Sequence, residues 1–158
     1  MAKTAIVFAS RHHGNTRKMV EKIAEKLDVK LIDALQETNA DLSAYDFIGF
    51  ESGIDFGTFY DCIYQWMKQN LPEKKRVFFL YTCARPSFRF TQTMRMEASK
   101  KGAGILGEYG CKGFNTYGPW KLIGGLNKNH PTEKECDEAV RFVKMICENE
   151  SVTLYQNS

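Results

Sequence analysis

Ala5-Ile6-Val7-Phe8-Ala9-Ser10-Arg11-His12-His13-Gly14-Asn15-Thr16 joins an apolar run to a polar turn, and an amphipathic pattern follows at once. Thr4 to Ala9 reads as a buried strand. Met19, Val20, Ile23, Ala24 and Leu27 fall on one face of a helix over residues 15–27. A strand therefore feeds a short turn, and the turn opens a helix. The first N–H groups of a helix lack intrahelical partners, and the helix dipole favours negative charge there, so such a turn is a ready anion site. Gly14 lets backbone approach a ligand closely. Ser10, Asn15 and Thr16 add side-chain hydrogen-bonding groups, and His12 and His13 add imidazole N–H groups. The natural ligand of such a nest is a phosphate; a solvated connection is the other reading of the turn taken alone. Neither G-x-G-x-x-G nor G-x-x-x-x-G-K-[ST] occurs in it, which argues against a nicotinamide dinucleotide or a nucleoside triphosphate in this turn.

Working outward, apolar runs and helix patterns alternate along the chain. Residues 29–33 form a short strand of mixed polarity, suited to a sheet edge. Residues 41–45 suggest a short helix and residues 47–50 a buried strand. Thr58, with Asp61 three residues on, reads as the cap of a helix whose inner face is Phe59, Cys62, Ile63, Trp66 and Met67, ended by Pro72. Residues 77–81 are the most apolar strand and belong in the sheet interior. A helix over 91–101 closes at Gly102, and residues 105–111 give a fifth strand. Thr132 and Glu135 form a capping box ahead of a last helix that buries Cys136, Ala139, Val140, Val143, Ile146 and Cys147.

Five strands alternating with helices imply a parallel sheet covered on both faces. The flavodoxin-like order 2-1-3-4-5 and a Rossmann-like half both fit, and in both, ligands bind beyond the carboxyl ends of the strands. The chain of 158 residues reads as one domain over residues 1–150 with a tail over 151–158.

Three loops then converge at one sheet edge. The first is residues 10–16. The second, after the third strand, runs from Glu51 through Ser52, Gly53, Ile54, Asp55, Phe56 and Gly57 to Thr58. The third holds Thr82, Cys83, Ala84, Arg85, Pro86, Ser87, Phe88, Arg89 and Phe90. Backbone-rich loops with aromatic residues suit a flat heterocycle, whose faces stack on rings and whose edge meets backbone groups.

At these residues the chain resembles the flavodoxin family. Gly14-Asn15-Thr16 is similar to the end of that family's phosphate-loop pattern S/T-x-T-G-x-T, with His13 where many members have Thr. Ser52-Gly53-Ile54-Asp55-Phe56-Gly57 resembles a second flavin loop of the S-G-I-x-F-G type. Residues 113–122, running on to Asn129-His130-Pro131, resemble the segment before the last helix in small flavodoxin-like proteins. The resemblance implies a single doubly wound domain with a five-stranded parallel sheet of order 2-1-3-4-5. It also implies non-covalent FMN, its phosphate in residues 10–16 and its ring between the second loop and the third, at Thr82, Cys83, Ala84, Arg85 and Phe88. FMN would cycle between oxidised, semiquinone and reduced states, with Gly53 offering a backbone group beside flavin N5 and Asp55 either placing negative charge near the ring or serving as a turn residue that faces water.

Electron transfer to redox partner proteins or a small-molecule acceptor is the leading expectation. An FMN-dependent oxidoreductase acting on a quinone or other small molecule is the alternative, motivated by the long connection over 113–131 with Gly118, Pro119, Trp120 and Lys121. A cofactor-free binding module stands third. A phospho-receiver would need acids where Ser10-Arg11-His12-His13 stands, and no G-x-S-x-G elbow marks a hydrolase. His12, His13 and His130, one adjacent pair with a distant third, are only a weak metal signal. The net charge of +3, with no long basic run, gives no reason to expect nucleic acid. No apolar segment approaches membrane-span length, and no signal-peptide pattern is present. Five cysteines, an odd count without zinc or C-x-x-C spacing, suit a reducing cytoplasm. Cys83, at a strand end, is the one to watch.

Overall fold

The computed structural model describes residues 2–9, 11, 14–113, 125, 127 and 129–148. Its elements are β1 (Thr4–Ala9), α1 (Asn15–Lys26), β2 (Val29–Asp33), β3 (Phe47–Asp55), β4 (Thr58–Phe59), α2 (Asp61–Asn70), β5 (Arg76–Cys83), α3 (Gln92–Lys100), β6 (Gly104–Lys112) and α4 (Glu133–Glu148), with a 3₁₀ turn at Phe88–Thr91 before α3. The main sheet runs β2-β1-β3-β5-β6 with every neighbouring pair parallel. The expected five-strand order is recovered, with β2 at an edge and β5 between two neighbours. The two-residue β4 is an addition, antiparallel to β3.

Strand alternation sends side chains to two apolar layers. Val7, Phe50, Phe79 and Tyr81 meet Ile63, Trp66, Met67 and Met94 beneath α2 and α3. Ile6, Phe8, Phe78 and Leu80 meet Met19, Val20, Ile23, Phe142 and Val143 beneath α1 and α4. Burial of each large apolar side chain stabilises by about 1.5–3 kcal/mol before the entropy of ordering is subtracted. Both layers together fix the sheet and hence the place where its strands end.

Three expectations are corrected. Residues 41–45 are a turn: the Asp41 carboxylate accepts the Ser43 N–H at 2.9 Å, and Leu42 alone is sunk into the core. Thr58 does not cap α2, because it pairs with Asp55 across a hairpin. Phe56 and Gly57 both take positive φ, 50° and 79°, the pattern of a tight two-residue turn that matches strand twist. Helix α2 therefore starts at Asp61. Phe88 and Phe90 lie in the 3₁₀ turn instead of an open loop; Ser87 caps it by accepting the Arg89 N–H. The capping box of α4 forms as expected, with the Glu135 N–H donating to Thr132 Oγ1 and the Thr132 N–H donating to Glu135 Oε1.

Candidate functional site at the carboxyl edge of the sheet

Register brings the strand ends together. Ala9 lies beside Ser52, Ser52 beside Tyr81, Gly53 beside Thr82, and Thr82 beside Cys111. Helix α1 begins at this edge. Its N-cap is Gly14 at φ 66°, a left-handed conformation that glycine adopts without strain, and a Cβ added there would meet open space. Glycine brings no capping side chain, and no acid stands in the first turn. By contrast, α4 carries Glu133 and Glu135 in its first turn. The first-turn N–H groups and the dipole of α1 therefore lie at this edge, the kind of donor set a phosphate takes. Thr16 is buried, so it offers chiefly its backbone. Ser10, His12 and His13 lie outside the described residues.

The second loop is a hairpin. Ser52 is fully buried, and its hydroxyl accepts the Tyr60 N–H at 2.9 Å and donates to the Gly53 carbonyl. Gly53 is also buried, and a Cβ there would come within 2.4 Å of the Tyr60 hydroxyl. Glycine is needed at this position for the Tyr60 ring as it stands. Ser52 and Gly53 support the site from beneath, while Ile54, Asp55, Phe56 and Gly57 form its rim, with Phe56 87 % exposed. Tyr60, just beyond the hairpin, bridges two loops. The Arg11 guanidinium carbon lies 5.1 Å from the Tyr60 ring centroid. Burial raises the Tyr60 phenol, Arg11 opposes that, and Asp55 adds to it.

On the third side, Thr82 and Cys83 belong to β5. Burial pushes the Cys83 thiol up to about 12, so it is not a thiolate nucleophile. Ala84 is partly buried; its carbonyl accepts from the Asn127 side chain at 2.9 Å. Arg85 and Phe88 are exposed. Phe90 packs edge-on against Tyr81 at 6.0 Å, a core contact. Both ends of the long connection touch the site: a Cβ on Gly113 would meet the Asn15 side chain at 2.7 Å, and Asn127 holds Ala84. Gly118, Pro119, Trp120 and Lys121 lie outside the described residues.

One neighbour had no sequence signal. Glu51 was assigned to the second loop, yet it is fully buried inside β3 between Phe8 and Leu80. Neither carboxyl oxygen has a hydrogen-bond partner among the described residues. Burial alone drives this carboxyl well above the ordinary range. Among the described residues, no group of three or more His, Cys, Asp or Glu is placed to hold a metal, and no helix is long and apolar enough to cross a membrane.

A doubly wound parallel sheet with a glycine-capped helix terminus and two loops gathered at its carboxyl edge defines a flavodoxin-like domain. The chain belongs to the flavodoxin domain family, whose model matches residues 5–104. It is 38% identical over 149 residues to an uncharacterized protein of Methanocaldococcus jannaschii, covering 93% of this chain and 99% of that one. Its fold is similar to oxidised flavodoxin 2 from Bacillus cereus, with a TM-score of 0.63 and 18% identity over 93% of this chain and 99% of that one. It is also similar to a flavoprotein from Lactobacillus acidophilus solved in complex with FMN, with a TM-score of 0.51 and 20% identity over 71% of this chain and 93% of that one.

Proposed function

We propose that the chain binds FMN non-covalently at the carboxyl edge of its sheet and carries electrons between redox partners. The observation that carries this reading is the glycine-capped N-terminus of α1, with no acid in its first turn, set beside the ends of β1, β3 and β5. The helix-terminal N–H groups fit a phosphate, and the exposed rim of the hairpin with Arg85 and Phe88 fits the edge and face of a flat ring. FMN, when bound, supplies one- or two-electron redox chemistry. Gly14, Asn15 and the Thr16 backbone, with Ser10, His12 and His13, hold the phosphate. Asp55, Phe56 and Gly57 flank the ring on one side, and Ala84, Arg85 and Phe88 on the other. Arg11 beside Tyr60 and Asp55 on the rim set opposing charges near it, and charge near a flavin tunes its potential.

The Gly113 and Asn127 contacts favour a second reading. They attach the 113–131 connection to the site, so that segment could wall a pocket for a quinone or another small molecule and make the protein an FMN-dependent oxidoreductase. Both readings face the same first experiment. The protein is isolated without added cofactor, its visible spectrum recorded, and the chromophore released by heat and identified. Released FMN supports the site; a colourless protein that takes up no added FMN overturns it. Turnover of NAD(P)H with a quinone then favours the oxidoreductase, and reversible reduction without turnover favours the carrier.

A further inference from the structure

We propose that the groove between Phe88 and helix α3 is the docking face for an acidic protein. Four large apolar side chains are exposed among the described residues, and two of them, Phe88 at 61 % and Met96 at 59 %, stand in this groove of about 860 Å³. Arg89, Arg95 and Lys100 line it with them; the other lining residues are neutral, so no acid is present. Aromatic residues, Met and Arg are the types enriched where proteins meet.

The nearby acids are turned inward. Glu97 is almost buried, accepting from the Tyr64 hydroxyl and pairing with Lys100 at 3.7 Å. Glu108 accepts a hydrogen bond from the Thr91 hydroxyl. Three basic side chains line the groove against these two acids, with Lys100 paired to Glu97 and Arg95 facing Glu108, so the surface keeps an excess of one cation, on a chain that is itself +3. Such a face attracts an acidic partner and repels a second copy of itself.

The backbone that carries the apolar anchor is fixed by hydrogen bonds before any partner arrives. The Phe88 carbonyl accepts from Arg95 at 3.0 Å and from the Thr91 hydroxyl at 3.1 Å, and Ser87 caps the turn. Preorganisation lowers the ordering cost of association. The groove is open and shallow, whereas small-molecule sites enclose most of their ligand. It is also continuous with the proposed flavin site, because Phe88 belongs to both. A protein seated here would meet the flavin side of the sheet, and to that extent the inference rests on the FMN reading.

The test is a fluorescence-anisotropy titration of the protein, as purified, against a labelled acidic two-iron ferredoxin, with a basic cytochrome c as control. Ferredoxin is expected to bind, and to weaken by about tenfold or more between about 20 and 300 mM salt as screening grows. Arg89→Glu and Phe88→Ser should each weaken it by about tenfold, consistent with interface anchors, while Lys26→Glu, the same charge change at the far end of α1, should leave it unchanged. Melting temperature and flavin absorbance of each variant are recorded alongside. Absence of ferredoxin binding, tighter binding of cytochrome c, indifference to Arg89→Glu in a folded variant, or self-association through this face would overturn the proposal. A flavin-loaded protein that ignores ferredoxin would sink the docking face alone. A flavin-free protein that binds ferredoxin through these residues would sink the FMN reading alone.

Discussion

Arg11 lies across the ring of Tyr60, its guanidinium carbon 5.1 Å from the centroid. This contact ties the β1–α1 turn to the start of α2 and roofs over Gly53. Arg11→Ala should leave the fold intact, costing about 0.5–1 kcal/mol for an aromatic–cation contact. It should also shift the Tyr60 phenol to higher pH, because Arg11 opposes the burial that raises it. An ultraviolet pH titration of the variant checks this; a phenol that titrates at lower pH than in the wild type would show that the contact does not form.

Gly53→Ala is expected to destabilise by about 1–3 kcal/mol, as overpacking does in a filled core. The added Cβ would stand 2.4 Å from the Tyr60 hydroxyl. Thermal melts of Gly53→Ala in the wild-type and Tyr60→Ala backgrounds test the cause. The loss should largely disappear in the second background.

The Glu51 carboxyl keeps its proton to higher pH in the native state than in the unfolded chain, where it titrates near 4.5. The native state then binds more protons, so this group's contribution is fully present below about pH 4.5 and is lost as pH rises toward the raised native value. Glu51→Gln should match the wild type at pH 4 and exceed it increasingly as pH rises above about 4.5, because the amide has no proton to lose. Melting temperatures across pH 4–9 provide the check; parallel curves for the two proteins would count against it.

Asn15→Asp adds a negative charge to the first turn of α1. For the helix alone this is favourable by about 0.3–1 kcal/mol. For a phosphate at the same terminus it is repulsive, and FMN affinity should fall by about tenfold or more, equivalent to about 1.4 kcal/mol. Opposite signs for apoprotein stability and FMN affinity are the expected pattern in paired melting and binding measurements.

The main fold was legible because its signals are long-range patterns. The apolar run at residues 77–81, the helical face from Met19 to Ile23 and the Thr132–Glu135 box each follow from periodicity or a two-residue reciprocal contact. The hairpin was not legible, because tight turns of this kind are signalled by Asn-Gly or Asp-Gly, and here Phe56 takes the left-handed position. Thr58 and Asp61 mimic a capping pair, yet backbone pairing with Asp55 claims Thr58 first. At the site, Gly14 and Asn15 could be read from the strand–turn–helix join. Ser52 and Gly53 also stood out, but their burial under Tyr60 depends on the hairpin. Glu51 carried no signal, since a carboxylate at the end of an apolar run looks like the start of a loop.

The central claim is that a phosphate seated on α1 anchors the cofactor. Equilibrium titration of the apoprotein with FMN and with riboflavin, which lacks the phosphate, tests it most directly. FMN is expected to bind with one-to-one stoichiometry and riboflavin at least about a hundredfold more weakly, a difference of about 2.7 kcal/mol. Equal affinity for the two, or no binding of either, would contradict it.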